Sequence, residues 1–143
     1  MKPILLEITG FNSFKDKQVI DFNKLTQDKI FGIFGSTGCG KSSIINAMII
    51  ALYGKQSIES NNFINVNMDK ADIRFKFQIS GTTNRMFEVT RSFKRDKKNP
   101  LANKDTSKLV EFIEDRTEIL ADSTNEVKRI CTCLLYTSPS PRD

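Results

Sequence analysis

Histidine is absent from this sequence, which removes the commonest general base and zinc ligand and rules out His-dependent catalysis by the chain on its own. Cysteine is scarce, with only Cys39, Cys131 and Cys133. That is too few for a disulfide framework or a cysteine-only zinc site, and it fits a reducing compartment. Long apolar runs are missing as well. The longest, Ile44 to Tyr53, is interrupted by Asn46 and falls far short of the ~20 residues that a bilayer requires, so no membrane span is expected. A signal-peptide pattern is lacking, because Glu7 stands where its apolar stretch belongs. The expectation is a cytoplasmic protein. No internal repeat interrupts the chain.

What is present suffices for one domain or a fragment of a larger one: 143 residues, 38% hydrophobic and 27% charged, with a net charge of +5. The final string, Cys133-Leu134-Leu135-Tyr136-Thr137-Ser138-Pro139-Ser140-Pro141-Arg142-Asp143, resembles the in-frame translation of a transposase adapter used to prepare sequencing libraries. It is set aside from fold reasoning. Residues 1–132 are then the native stretch, and the expectation is a reading frame cut short within a longer protein.

Ile4 to Ile8 and Gln18 to Phe22 read as two strands of a hairpin, with turn chemistry from Gly10, Asn12, Ser13 and Asp16 between them. Lys29 to Phe34 is a nearly continuous apolar strand that runs into Gly35. From Lys41 to Tyr53 apolar residues point to almost every side, which predicts a helix packed inside a domain, ended by Gly54. A polar linker reads through Ser57, Ser60, Asn61 and Asn62 to Asp69. Beyond it, Ile73, Phe75, Phe77 and Ile79 alternate with Arg74, Lys76 and Gln78, the pattern of a half-buried strand. Met86 to Phe93 reads as its hairpin partner across Gly81 to Asn84, and Leu109 to Ile113 as a further strand. Ser123-Thr124-Asn125-Glu126 matches a capping box that opens a last helix.

Gly35-Ser36-Thr37-Gly38-Cys39-Gly40-Lys41-Ser42 satisfies the G-x-x-x-x-G-K-[ST] phosphate-loop pattern, also called Walker A. The spacing has a physical cause. Gly35, Gly38 and Gly40 permit positive backbone dihedrals and let amide N–H groups wrap a phosphate with no Cβ in the way. The helix that starts near Lys41 points its free N–H groups and positive dipole end at that phosphate. Lys41 adds a charge for the β- and γ-phosphates, and Ser42 offers a hydroxyl to Mg²⁺. Cys39 occupies a variable position where a small residue fits. The candidate nucleotide-binding set is Gly35 to Ser43 together with Asn12 and Ser13, with Ser42 as the metal ligand and ATP and Mg²⁺ as the cofactors.

The flanks of the loop are more specific than the loop. Met1-Lys2-Pro3, Phe11-Asn12-Ser13-Phe14 followed by Ile20-Asp21-Phe22, Phe31-Gly32-Ile33-Phe34, Ala51-Leu52-Tyr53-Gly54, Asp72 to Phe77 and Val89 to Phe93 together resemble the N-terminal ATPase segment of the bacterial SbcC and Rad50 family. That family is related to SMC proteins among the ABC-type ATPases, and the resemblance covers essentially all of residues 1–132. It implies an α/β fold, the N-terminal lobe of an ABC-type P-loop NTPase head. A central sheet would hold the phosphate-loop strand, and the strands of residues 72–119 would form a mostly antiparallel β layer. It further implies that two heads sandwich two ATP molecules as a homodimer, that a long coiled coil divides each head, and that a nuclease partner of SbcD or Mre11 type cuts DNA ends in double-strand break repair. Asn12 and Ser13 would approach the nucleotide beside the phosphates; ordinary turn residues are the alternative. The Q-loop, signature motif, Walker B carboxylates and switch histidine belong to the family's later segments. The full protein is thus expected to be an ATPase and this fragment alone inactive.

From Arg85 to Lys108 eight basic residues (Arg85, Arg91, Lys94, Arg95, Lys97, Lys98, Lys104 and Lys108) face three acids, whereas residues 109–126 carry six acids and only Arg116. Lys94, Arg95, Lys97 and Lys98 are the candidates for nonspecific contact with double-stranded DNA; a solvated loop is the plainer reading. Three other functions compete. One is a RecF-like or SMC-like head serving a different partner. Another is a phosphate-loop kinase, which would open almost directly with the loop strand, whereas 34 residues precede Gly35 here. The last is a basic binding module with a vestigial loop.

Overall fold

The structure is a computed structural model that describes residues 1–25, 41–55, 63–98 and 103–136. Its frame is a six-stranded sheet built from β1 (Lys2–Thr9), β2 (Gln18–Asp21), β3 (Lys70–Ile79), β4 (Arg85–Arg95), β5 (Asn103–Ile113) and β6 (Arg116–Ala121). The strand order is β2-β1-β3-β4-β5-β6 and every neighbouring pair is antiparallel. Helices α1 (Phe22–Leu25), α2 (Lys41–Tyr53) and α3 (Thr124–Tyr136) complete the described elements.

The alternation in β3 decides which face is covered. Ile73, Phe75, Phe77 and Ile79 are buried while Arg74, Lys76 and Gln78 are half-exposed, and a one-residue slip would exchange the two sets. Register with β4 sets Phe77 opposite Phe87 and Phe75 opposite Val89. The rings of Phe75, Phe77 and Phe87 stack in series at 5.5 and 5.6 Å between centroids. Onto this face pack α2, through Ala47, Ile50 and Ala51, and α3, through Val127 and Cys131. On the opposite face Arg74 bridges Glu88 at 2.9 Å and Glu7 at 3.3 Å across three strands.

The expected hairpin forms, but its second strand stops one residue early. Asp21 Oδ1 accepts the Asn23 N–H at 3.0 Å, which caps the short α1 and sends the Phe22 ring into the core. Helix α2 has the expected bounds and ends at Gly54, at φ +92, whose N–H donates to Ile50 O at 2.8 Å. The expected strand from Lys29 to Phe34 lies outside the described residues, and with it the seat of the phosphate-loop strand. The polar linker needs correction at its end, because Phe63, Ile64 and Asn65 are buried. Phe63 lies between Phe11, at 5.6 Å, and the edge of Phe93, at 4.8 Å, and the area those rings remove from water outweighs the polar composition around them. Strand β5 starts at Asn103, earlier than its apolar part, because Phe93, Lys94 and Arg95 of β4 supply partners that far. Ser123 caps α3, accepting the Glu126 N–H on Oγ at 3.4 Å and the Val127 N–H on its carbonyl at 2.9 Å. The helix continues through Cys133, Leu134 and Leu135, past residue 132.

Candidate functional site

Of the phosphate-loop string, Gly35, Ser36, Thr37, Gly38, Cys39 and Gly40 lie outside the described residues; Lys41 is the first residue of α2. The helix is anchored along its length by Ala47, Ile50 and Ala51 against the sheet, so its first turn is fixed in direction. No acidic side chain occupies that turn, and its unsatisfied N–H groups together with the roughly half-unit positive end of the dipole favour an anion there. Ser42 is exposed and Ser43 half-buried.

Against this turn lies the connection between β1 and β2. Its backbone leaves β1 at Gly10, with φ +64, and passes Asn12 at φ +50. Phe11 and Phe14 exchange backbone hydrogen bonds of 2.9 Å in both directions. From this loop Asn12 Nδ2 donates to Ser43 Oγ at 3.0 Å, so two predicted site residues from separate parts of the chain meet. Ser13 beside them is exposed. Sequence reasoning missed the support beneath: the Asn12 N–H donates to Phe63 O at 2.6 Å, the Asn65 N–H to Gly10 O at 2.8 Å, and Asn65 Nδ2 to Asn12 O at 2.7 Å. Asn65 sits in an Asn-rich run, and composition alone gives it no distinguishing mark.

The far end of α2 is held by a residue that the charge count assigned to a basic stretch. Arg91 is fully buried. Its Nε donates to Ala51 O at 2.8 Å and its Nη1 to Ser107 Oγ at 2.8 Å, and that hydroxyl donates in turn to Asp105 Oδ1 at 3.0 Å. Burial lowers the Arg91 pKa and the Asp105 charge works against that. Nearby, burial pushes the Cys131 thiol up to about 11, opposed by the Arg91 charge.

The other basic residues divide into two groups. Arg85 forms a double hydrogen bond to Glu111 at 2.8 and 3.0 Å. Arg95 turns its Nη2 to the carbonyls of Ile64, Asn65 and Met68 at 3.3 to 3.4 Å, so its guanidinium is committed to the backbone. Lys94, Lys97 and Lys98 are exposed and, with Arg95, Asp96 and Lys104, line a cleft of about 460 Å³. Register adds a feature that the sequence hides: Lys70 pairs with Lys94, and Lys94 with Lys104, so three lysines stand side by side across β3, β4 and β5. Like charges directly opposite each other are unfavourable until an anion or a carboxylate intervenes; Lys70 has Asp72 at 3.5 Å.

Among the described residues no group of three or more His, Cys, Asp or Glu could hold a metal ion, and no helix is long and apolar enough to cross a membrane.

A family model described as an AAA domain matches residues 5–133. The chain is 40% identical over 131 residues to the SbcC component of the nuclease SbcCD of Clostridium acetobutylicum, a match covering 92% of this chain and 11% of that protein. It is 41% identical over 134 residues to the protein of the same name from Bacillus subtilis, covering 90% and 12%. It is 37% identical over 101 residues to a probable DNA double-strand break repair Rad50 ATPase of Aquifex aeolicus, covering 67% and 10%. The chain thus spans about a tenth of the length of these relatives. An antiparallel sheet with helices packed on one face fits an α/β phosphate-loop ATPase.

Proposed function

This chain belongs to the AAA domain family, and on that premise we propose that it is the ATP-binding N-terminal part of an SbcC/Rad50-like ATPase head of ABC type. With a nuclease partner of SbcD type and a second copy of the head, such a protein processes DNA ends in double-strand break repair. The names of the relatives matched over most of the chain support this reading over a RecF-like or SMC-like head. Residues 1–132 form the head segment in this reading, with 133–143 foreign to it.

The observation that carries the nucleotide assignment is the junction of the phosphate-loop string with α2: an acid-free first turn, directed by buried Ala47, Ile50 and Ala51, with Asn12 Nδ2 on Ser43 Oγ. The loop amides from Gly35 to Gly40 and the α2 N–H groups would hold the phosphates, and Lys41 would reach the β- and γ-phosphates. Ser42 would help hold Mg²⁺, which would supply neutralisation of the phosphate charge. Ser42 fits such an ion, because Mg²⁺ takes few protein ligands and completes its shell with phosphate and water oxygens. Asn12 and Ser13 would line the nucleotide beside the phosphates. Carboxylates that position water would come from the remainder of the protein.

The test is titration of the chain with a nonhydrolysable ATP analogue and Mg²⁺, paired with a phosphate-release assay. Binding that Lys41→Ala abolishes, with no phosphate release above buffer, is the expected result. Equal binding by wild type and Lys41→Ala refutes the assigned site; Lys41-dependent release refutes the claim that hydrolysis needs the rest of the head.

A further inference from the structure

We propose that Asn65 is a positioning residue of the nucleotide site, holding Asn12 in the conformation that carries its side-chain amide to the first turn of α2. The proposal rests on the nucleotide reading given above. Asn65 is 6% exposed and its side chain works at both ends: Nδ2 donates to Asn12 O at 2.7 Å, and Oδ1 accepts the Asn67 N–H at 2.9 Å. Its main chain bonds to Gly10 O, two residues before Asn12, while the Asn12 N–H is taken by Phe63 O. Segment 63–65 therefore grips the loop from Gly10 to Asn12 at three points, with the Phe11 and Phe63 rings in contact beside them.

The grip holds Asn12 at φ +50, a left-handed conformation that asparagine tolerates better than most side-chain-bearing residues but does not favour over extended or helical backbone. Freed from its partners, the loop would relax and the Asn12 amide would leave Ser43. Asn65 bonds to the Asn12 backbone, and its influence on the first turn of α2 passes through the Asn12 side chain. Arg95 steadies the same segment from β4 through the carbonyls of Ile64, Asn65 and Met68. Aspartate at position 65 would keep the acceptor for Asn67 and set an oxygen against Asn12 O, removing the one donor that matters. Glycine at position 12 would keep the backbone, which glycine adopts freely, and remove the amide.

The experiment compares wild type, Lys41→Ala, Asn65→Asp, Asn12→Gly and the Asn65→Asp/Asn12→Gly pair, each as the 143-residue chain, by titration with a fluorescent nonhydrolysable ATP analogue and Mg²⁺ and by urea unfolding. Asn65→Asp and Asn12→Gly should each weaken binding roughly fivefold, the size of one hydrogen bond. The pair should bind no more weakly than Asn12→Gly, while the fall in urea midpoint caused by Asn65→Asp persists in both backgrounds. Undiminished affinity in either single variant overturns the proposal, as do affinity losses that add in the pair, which would mark Asn65 as merely structural. If Asn65→Asp does not unfold cooperatively, Asn65→Ala replaces it under the same criteria. Wild-type binding that is indifferent to Lys41→Ala overturns the nucleotide reading and this proposal with it, a result separate from Lys41-dependent binding that ignores position 65.

Discussion

Gly10 and Gly81 both stand in turns, and their surroundings separate them. A Cβ at Gly10 would lie 2.3 Å from Lys70 O, with the backbone at φ +64; at Gly81 the nearest atom is 3.8 Å away. Gly10→Ala should therefore cost about 2 kcal/mol or more, from the dihedral penalty and the displacement of a strand backbone, whereas Gly81→Ala should stay within about 0.5 kcal/mol. Urea midpoints of the two variants check this, and equal shifts would refute it. The sequence marks Gly10 as a turn residue, but its opponent, Lys70, is remote in the chain and invisible to any local reading. Arg91 was more legible than its inclusion in a basic stretch implies. It shares the inward parity of Phe87, Val89 and Phe93, and period-two alternation alone points it into the core, where it ties down the last turn of α2.

At the level of elements, those with strong periodicity or caps could be read in advance: β3 from its alternation, α2 from its apolar run and terminal glycine, and α3 from its capping box. Strand β6 could not, because its first four residues are all exposed and carry no periodic signal; only pairing with β5 makes it a strand. Helix α3 carries a titration that can be followed. Burial raises the Cys131 pKa from 9.0 to about 11, so the folded state keeps a proton that the unfolded state releases first. The stability tied to that proton is fully present below about pH 9 and drains away as pH rises toward 11. Subtracting the pH profile of Cys131→Ala from that of wild type should leave a decline confined to this window, and a flat difference would mean that the thiol is not buried in solution. Site-resolved alkylation at pH 8 should also label exposed Cys133 well before Cys131.

Across the whole molecule, the two faces of the sheet are covered differently. Helices cover one side of the sheet; on the other, Lys70, Lys94 and Lys104 form a row that continues into Lys97 and Lys98. Of the candidate site, the phosphate-loop string and Asn12 could be named from the sequence, whereas the lysine row appears only once strand register is known, since its members come from three strands. If the row meets DNA backbone in the complete protein, replacing Lys70, Lys94 and Lys104 by Glu should weaken duplex binding for all sequences alike and flatten the dependence of log K on log salt by about 2 to 3. An unchanged slope would leave these lysines as a solvated face. Arg95 is spared in that design because it supports the 64–68 backbone.

The sheet order has a kinetic corollary. Strands β3 to β6 follow one another as consecutive hairpins, whose ends are near in sequence and inexpensive to bring together. Strand β1 instead joins β3, and that pairing encloses the entire phosphate-loop string and α2 in one long loop. Its closure entropy is recovered only when α2 and the loop bearing Asn12 are seated as well. The pairings of the meander are local, whereas the end of the molecule where Asn12 meets the first turn of α2 comes together only with the most distant pairing in the sheet. Anything that holds β1 away from β3 during synthesis would therefore keep Asn12 from its place beside Ser43 in the first turn of α2.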